Sequence, residues 1–538
     1  MTLELLVVLL AVVALLSGAA RRVGIPAPFV LVITGLALGY LPGLPRVELD
    51  PHVVLVLVIP PLLYAAALST AFADFRDNLR PIALLSVGLV LVTAFAVGAV
   101  AKAVVPDLPW AAALALGAIV APPDAISATS IARRLALPRR VLTILEGESL
   151  LNDATALVAY RIAVAAALAG GSTTLTGAAG DFVLSAAGGA AVGFALAFTL
   201  ATLRRRLDDP LLENALSLLT PFAAYLPAEQ LGASGVLSVV VAGLYLGRRA
   251  PSLLSSTTRL QGQALWAMVT FLLEGFVFLM IGLQLPTVVD QLSGRSMGQL
   301  AGAAAAVSAT VIVVRFAWVF PATYLPRRLS RRLRARDPAP PWQAPALISW
   351  AGMRGVVSLA AAFALPKQMP DRGLILFLTF CVILVTLLLQ GLTLPWVVHR
   401  LGLDDAGAAE RTERAVAVAD HHIARTGLME LERIQAERAV PDSVGDELRG
   451  HLEERVRRAH AILGGCPGED EYDDGARVED ASALGDAVIL NELRSELVQA
   501  ERAELLRLYE HRDIDDEVLR TVQQQLDVEE LSLGGGTP

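Results

Sequence analysis

Residues 145–161 read LEGESLLNDATALVAYR, placing Glu146, Glu148, Ser149, Asn152 and Asp153 inside an otherwise apolar run. On a helix, Ser149, Asn152 and Asp153 stand at i, i+3 and i+4, so their oxygens share one face, with Glu148 four residues before Asn152 at its edge. Hard monovalent cations take oxygen ligands of this sort. A second carboxylate, Asp124, follows Pro122 and Pro123 in ALGAIVAPPDAISATS. If that segment crosses the first at its proline break, Asp124 and Asp153 share a poorly solvated pocket, where repulsion favours keeping a proton on one of them. Such a site holds either a proton or a cation. Arg315 and Arg354 also lie in apolar runs and cannot shed their charge. Glu148 is the natural buried partner for one of them, and Arg354 is placed to offset helix ends and Asp124. Glu146 reads as close to the end of its span and solvated there.

These residues need a hydrophobic frame, and composition supplies it. Of 538 residues, 55% are hydrophobic and 18% charged, and the mean hydropathy is +0.58, too apolar for an ordinary soluble protein of this length. The net charge of −8 conceals a division: residues 401–538 hold 33 Asp/Glu against 15 Arg and no Lys, a balance of −18, which leaves +10 on residues 1–400. Nothing here points to nucleic acid. Two cysteines, Cys381 and Cys466, form neither a disulfide framework nor a metal cluster. The first apolar run has Glu4 before it and Arg21 and Arg22 after it, the charge order of a retained membrane helix rather than a signal peptide.

Thirteen apolar segments are candidates to cross the bilayer: 2–20, 25–42, 52–72, 81–103, 109–133, 140–168, 180–203, 210–227, 232–247, 262–286, 299–324, 343–365 and 373–398. Loops after odd-numbered segments, counted with the basic residues at the segment ends, hold 20 Lys/Arg and those after even-numbered ones hold 5, which predicts the N-terminus outside and the acidic tail in the cytoplasm. Thirteen spans also permit inverted repeats, spans 1–6 and 8–13 around span 7. In that register span 5, with Pro122, Pro123 and Asp124, matches span 12, ALISWAGMRGVVSLAAA, with Gly352, Arg354 and Gly355. Paired interrupted helices point to a transporter's binding site. Gly188, Gly189 and Gly193 in span 7 suggest close helix packing.

GESLLNDATALV resembles the signature of sodium/proton antiporters of the cation:proton antiporter-1 family. APPDAISATS, RFAWVFPATYLPRR and WAGMRGVVSLAAA resemble that family's other segments in the same order, over roughly residues 1–400. The resemblance implies an all-α polytopic fold of about 13 transmembrane helices, with crossed broken helices in a core that slides on a dimerisation domain, and hence a homodimer. It implies that Asp153 is the shared proton and cation site, with Ser149 and Asp124 as further Na⁺ ligands. Asn152, where electrogenic relatives have a second aspartate, implies electroneutral exchange. Glu148 matches the acidic half of an ion pair, with Arg315 its first partner and Arg354 the alternative. Pro123 departs from the family's Thr-Asp, removing a hydroxyl that a backbone carbonyl would have to replace.

Residues 401–538 change to charged helical patterns interrupted by GGCPGEDEYDDG. They predict an amphipathic bundle acting as a cytoplasmic regulatory domain behind an exchanger domain at 1–400. His421 and His422 read as solvated, with a pH sensor as the alternative. Glu274 in FLLEGFVFLM has three readings: on the dimer side, paired with Arg259, or facing a water-filled funnel. The leading function is exchange of cytoplasmic Na⁺ or Li⁺ for external H⁺ by alternating access in the cell membrane, serving pH and sodium homeostasis without cofactor. A K⁺/H⁺ antiporter is the alternative. A channel would need a continuous polar pore, a sensor a recognisable output domain, and an enzyme a His-Glu or Ser/His constellation in the spans; the sequence displays none of these.

Overall fold

The computed structural model describes residues 3–23, 26–41, 54–124, 137–168, 175–207, 209–290, 292, 296–403, 407–464 and 483–534. Among the described residues every regular element is a helix. In order they are α1 (Leu3–Val23), α2 (Ala27–Gly39), α3 (Ile59–Ser69), α4 (Leu79–Val104), α5 (Trp110–Val120), α6 (Arg139–Leu168) and α7 (Leu175–Arg204). There follow α8 (Pro210–Gln230), α9 (Gly235–Leu253), α10 (Ser256–Asp290), α11 (Met297–Leu329), α12 (Gln343–Trp350), α13 (Val356–Phe363) and α14 (Arg372–Leu401).

Each of the thirteen apolar segments overlaps one of these helices, α12 and α13 together falling in the twelfth. Seven, namely α1, α4, α6, α7, α10, α11 and α14, are by themselves long and apolar enough to cross a membrane. Two segments are interrupted for readable reasons. α5 ends at Val120 because Pro122 and Pro123 lack amide donors and bias their predecessors away from helix. Between α12 and α13 residues 351–355 leave the helix, where Gly352 and Gly355 let other groups approach the backbone. The part of segment 109–133 beyond residue 124 lies outside the described residues.

Close packing holds the interrupted helix in place. A Cβ on Gly117 of α5 would lie 2.0 Å from the Ala94 carbonyl oxygen of α4, so only glycine permits that approach. The span-7 glycines behave alike: Cβ atoms on Gly189 and Gly193 of α7 would meet the carbonyl oxygens of Ser234 and Ser238 at 2.3 and 2.2 Å. Small residues bring helix backbones together where lipid offers no hydrophobic drive for association.

The chain divides into two compact units, Met1–Leu253 with Ala264–Asp405, and Leu254–Gln263 with Ala406–Pro538. The division falls close to the change in composition, except that the second unit also takes in the start of α10. It contains α15 (Ala408–Glu437), α16 (Asp442–Ile462), α17 (Ala483–Glu510) and α18 (Asp516–Gly534). Their apolar stripes bury Ile423, Leu505, Val522 and Leu526 in one cluster and Leu431, Ile434, Leu448 and Leu497 in another. Arg455 of α16 ties the four helices, lying 2.6 Å from Asp420, 3.0 Å from Glu501 and 3.8 Å from Glu529. Asp527 accepts from both Arg259 and Arg502. His421 is half-buried and stacked on His460 at 4.6 Å, while His422 is exposed. Burial, together with His460, His422 and Arg425, holds the His421 pKa below 6.5 despite Asp420. Cys466 and the acidic break from residue 465 to 482 lie outside the described residues.

Candidate functional site

The site forms where the two helix interruptions cross beside α6. The Asp124 N–H donates to the Met353 carbonyl at 2.7 Å, one backbone hydrogen bond joining the two irregular stretches. Interrupted helices expose polar backbone that lipid cannot solvate, and Arg354 satisfies much of it. Its Nε donates to Val120 O at 2.9 Å and its Nη2 to Ala121 O at 3.2 Å, so a fixed positive charge caps the negative end of α5. Nη1 donates to Gly352 O, and the Arg354 N–H donates to Thr386 Oγ1 of α14 at 3.1 Å. The guanidinium is 1% exposed.

Asp124 performs the reciprocal task at the other interruption. A Cβ on Gly355 would stand 2.0 Å from Asp124 Oδ2, so the carboxylate is seated against the residue that caps α13. A negative charge at a helix N-terminus offsets the positive end of the helix dipole. Each break therefore carries the charge its facing helix end requires, Arg354 for α5 and Asp124 for α13.

Glu148 and Arg315 form a closed pair. Arg315 Nη1 and Nη2 donate to Glu148 Oε1 and Oε2 at 2.5 and 2.8 Å, and Nε donates to Ile348 O of α12 at 3.0 Å. Both side chains are 1% exposed. A Cβ on Gly352 would lie 2.4 Å from Arg315 Cδ, so this glycine makes room for the arginine. Of the two arginines open as partners of Glu148, the bidentate contact belongs to Arg315, while Arg354 is committed to carbonyls.

Asn152 links α6 to the break. Its Nδ2 donates to Pro123 O at 3.0 Å, a bond that fixes the amide's orientation. Its Oδ1 is buried with no hydrogen-bond partner. Asp153, the next residue, is 5% exposed, within electrostatic reach of Asp124. Ser149, one turn before, is half-buried, as is Glu146. Asp124 also acts electrostatically on Glu274 of α10, whereas Arg259 pairs with Asp527, so the Arg259 reading of Glu274 is set aside. The Pro123 carbonyl, cast as a stand-in for a threonine hydroxyl, serves as acceptor for Asn152.

Sequence reasoning missed Thr386 and the carbonyl acceptors of Val120, Ala121 and Ile348. A lone hydroxyl in VILVTLLLQ was the available signal for Thr386. The carbonyls carry no sequence signal, because every residue has one.

Residues 8–400 match the family model of the transmembrane sodium/hydrogen exchanger. An uncharacterized Na⁺/H⁺ exchanger of Mycobacterium tuberculosis strain H37Rv is 37% identical over 541 residues, covering 99% of this chain and 96% of that protein. A sodium, potassium, lithium and rubidium/H⁺ antiporter of Bacillus pumilus is 34% identical over 387 residues, 69% of this chain and 57% of that protein. Among solved structures, the sodium proton antiporter of Methanocaldococcus jannaschii superposes with a TM-score of 0.59 at 22% identity, over 76% of this chain and 99% of that one, a likeness of fold.

Proposed function

Since the chain belongs to the sodium/hydrogen exchanger family, a family of cation/proton antiporters rather than enzymes, we propose that it exchanges Na⁺ or Li⁺ for H⁺ one for one, with Asp153 as the shared site. The ions are substrates, and the family carries no cofactor. The observation that carries the proposal is the Asn152 side chain: its nitrogen is spent on Pro123 O, leaving its oxygen buried and unsatisfied beside Asp153. A buried acceptor without a donor is costly, and a dehydrated cation supplies what it lacks. Ser149, Asp124 and Asp153 complete an oxygen-rich set.

Charge balance supports the stoichiometry. Glu148 is neutralised by Arg315, Arg354 keeps its charge and is solvated by carbonyls, and Asp124 faces a helix N-terminus. Asp153, like Glu274, has no ion-pair partner among the described residues, and as the chain neighbour of the unsatisfied Asn152 Oδ1 it is the group we assign to alternate between proton and cation. We further propose thirteen crossings with the N-terminus outside, a homodimer, alternating access by sliding of the part that bears the crossed breaks, and a regulatory cytoplasmic role for residues 401–538. The K⁺/H⁺ reading stays in view because the Bacillus relative is named for potassium and rubidium as well.

The test is cation-driven dequenching of a ΔpH probe in proteoliposomes with Na⁺, Li⁺ and K⁺ compared, for the native chain and for Asp153→Asn. Na⁺ and Li⁺ should dissipate the gradient in the native chain and not in the variant, because an amide cannot alternate between proton and cation. Substantial exchange by a folded Asp153→Asn would remove Asp153 from the mechanism; K⁺ outperforming Na⁺ would reassign the substrate.

A further inference from the structure

Three arginines converge on one carboxylate where α4 and α6 begin and α11 ends. Arg140 Nη2 lies 2.7 Å from Asp337 Oδ1 and Arg327 Nη2 2.5 Å from Oδ2, so each oxygen of Asp337 already accepts one strong bond. Arg80 reaches the same carboxylate only at 3.8 Å, beyond hydrogen-bond length, and its Nη2 is buried with no partner. Neighbouring acceptors are committed elsewhere: Asp74 to Arg139 at 2.7 Å, and Asn78 Oδ1 to Arg140 Nε at 3.2 Å. Arg327 also donates to Thr323 O and Asp337 O.

The three guanidinium groups around Asp337 carry two more positive charges than that carboxylate offsets. Arg80 and Arg140 stand in the first turns of α4 and α6, so two positive helix ends add to the same field. Arg80 and Arg140 are 33% and 43% exposed, so the cluster opens to the surface. Like charges gathered this way repel unless an anion joins them. A guanidinium's planar fork fits a tetrahedral phosphate. The ends of membrane-spanning helices lie at the depth of lipid headgroups, whose anionic phosphates attract clustered arginine.

We propose that Arg80, Arg140 and Arg327 form a binding site for a phosphate group, with Arg80 supplying the free donors and Asp337 holding the other two in register. The phosphate is that of an anionic lipid headgroup or of a free anion, and the experiment separates these. The site stands apart from Asp153 and does not rest on the transport reading.

The full chain in a neutral detergent would be titrated with dioleoylphosphatidylglycerol, with dioleoylphosphatidylcholine and with inorganic phosphate, following thermal unfolding. Phosphatidylglycerol should raise the midpoint and phosphatidylcholine should not. Arg80→Gln and Arg140→Gln should each weaken the half-saturating concentration about tenfold, the loss of one charge-assisted hydrogen bond. Asp337→Asn, which keeps one acceptor oxygen to hold an arginine in place but removes the competing negative charge, should tighten it, a gain that misfolding cannot mimic. A midpoint shift with inorganic phosphate as large as that with phosphatidylglycerol assigns the site to a soluble anion. Equal responses to both lipids with none to phosphate, Arg variants that titrate like the native chain, or an Asp337→Asn protein no tighter than native would each overturn the proposal.

Discussion

Removing Glu148 should destabilise the first unit more than removing Glu148 and Arg315 together. The pair is bidentate, both partners are 1% exposed, and Arg315 is held by Ile348 O and seated over Gly352. Glu148→Ala strands a guanidinium that can neither leave nor deprotonate, a loss of about 3–5 kcal/mol. Replacing both members with apolar residues of similar size, Glu148→Leu with Arg315→Met, abolishes the stranded charge and forfeits only the bond to Ile348 O, about 1–2 kcal/mol. The double variant should therefore be more stable than Glu148→Ala, with a coupling of roughly 2 kcal/mol or more in a double-mutant cycle. A charge swap, Glu148→Arg with Arg315→Glu, should recover less, because a glutamate at 315 cannot donate to Ile348 O. Thermal unfolding of the full chain in detergent measures each step, with Glu148→Leu and Arg315→Met completing the cycle. Additive single losses would refute the reasoning, since independent side chains share no stranded charge.

If Asp153 alone exchanges one proton for one monovalent cation, the initial rate in liposomes should be indifferent to an imposed potassium diffusion potential; a clear dependence would indicate a second titrating carboxylate, Asp124 being the first suspect. Gly355→Ala should displace the Asp124 carboxylate, whose Oδ2 lies where the new methyl must go, and lower exchange at least tenfold while the protein still inserts; near-native exchange would show that Asp124 need not sit at the α13 N-terminus. In the second unit, burial pushes the Glu501 pKa up from 4.5 to about 7 despite the opposing pull of Arg455. A raised carboxyl favours folding most below 4.5, and that contribution is lost as pH rises through about 7. Protection of α17 amides, taken relative to their intrinsic base-catalysed exchange rate, should accordingly fall above neutral pH, and Glu501→Gln should flatten that profile; an unchanged profile would exclude Glu501 as the cause.

The fold was legible because lipid demands long apolar runs, and each candidate segment met a helix. The interruptions were legible because proline and glycine act locally. The proximity of Asp124 to α6 was inferable only as a conditional, since it depends on a crossing between segments some thirty positions apart. Residue chemistry alone left open which arginine meets Glu148, and only the family resemblance put Arg315 first: Arg315 and Arg354 are the same residue type at similar depth, and what separates them is the carbonyl ends of α5 and α12. The Arg80 cluster was counted only as loop charge, for its meaning comes from three helix ends meeting. Pairing with Arg259 stayed one of three readings of Glu274 because the partner of Arg259, Asp527, stands 268 positions later.

That separation bears on how the protein is made. Leu254–Gln263 belong to the second unit, yet they leave the ribosome long before Asp527. At about 5–20 residues per second, roughly 13–50 s pass between synthesis of the two. During that interval Arg259 has no Asp527 to meet, and the second unit cannot close while its chain is still emerging. The membrane helices can insert in order as they appear, but the second unit is completed only once α18 has been made. Closure of the second unit thus waits for α18, and termination anywhere before residue 527 yields a chain in which Arg259 lacks its partner.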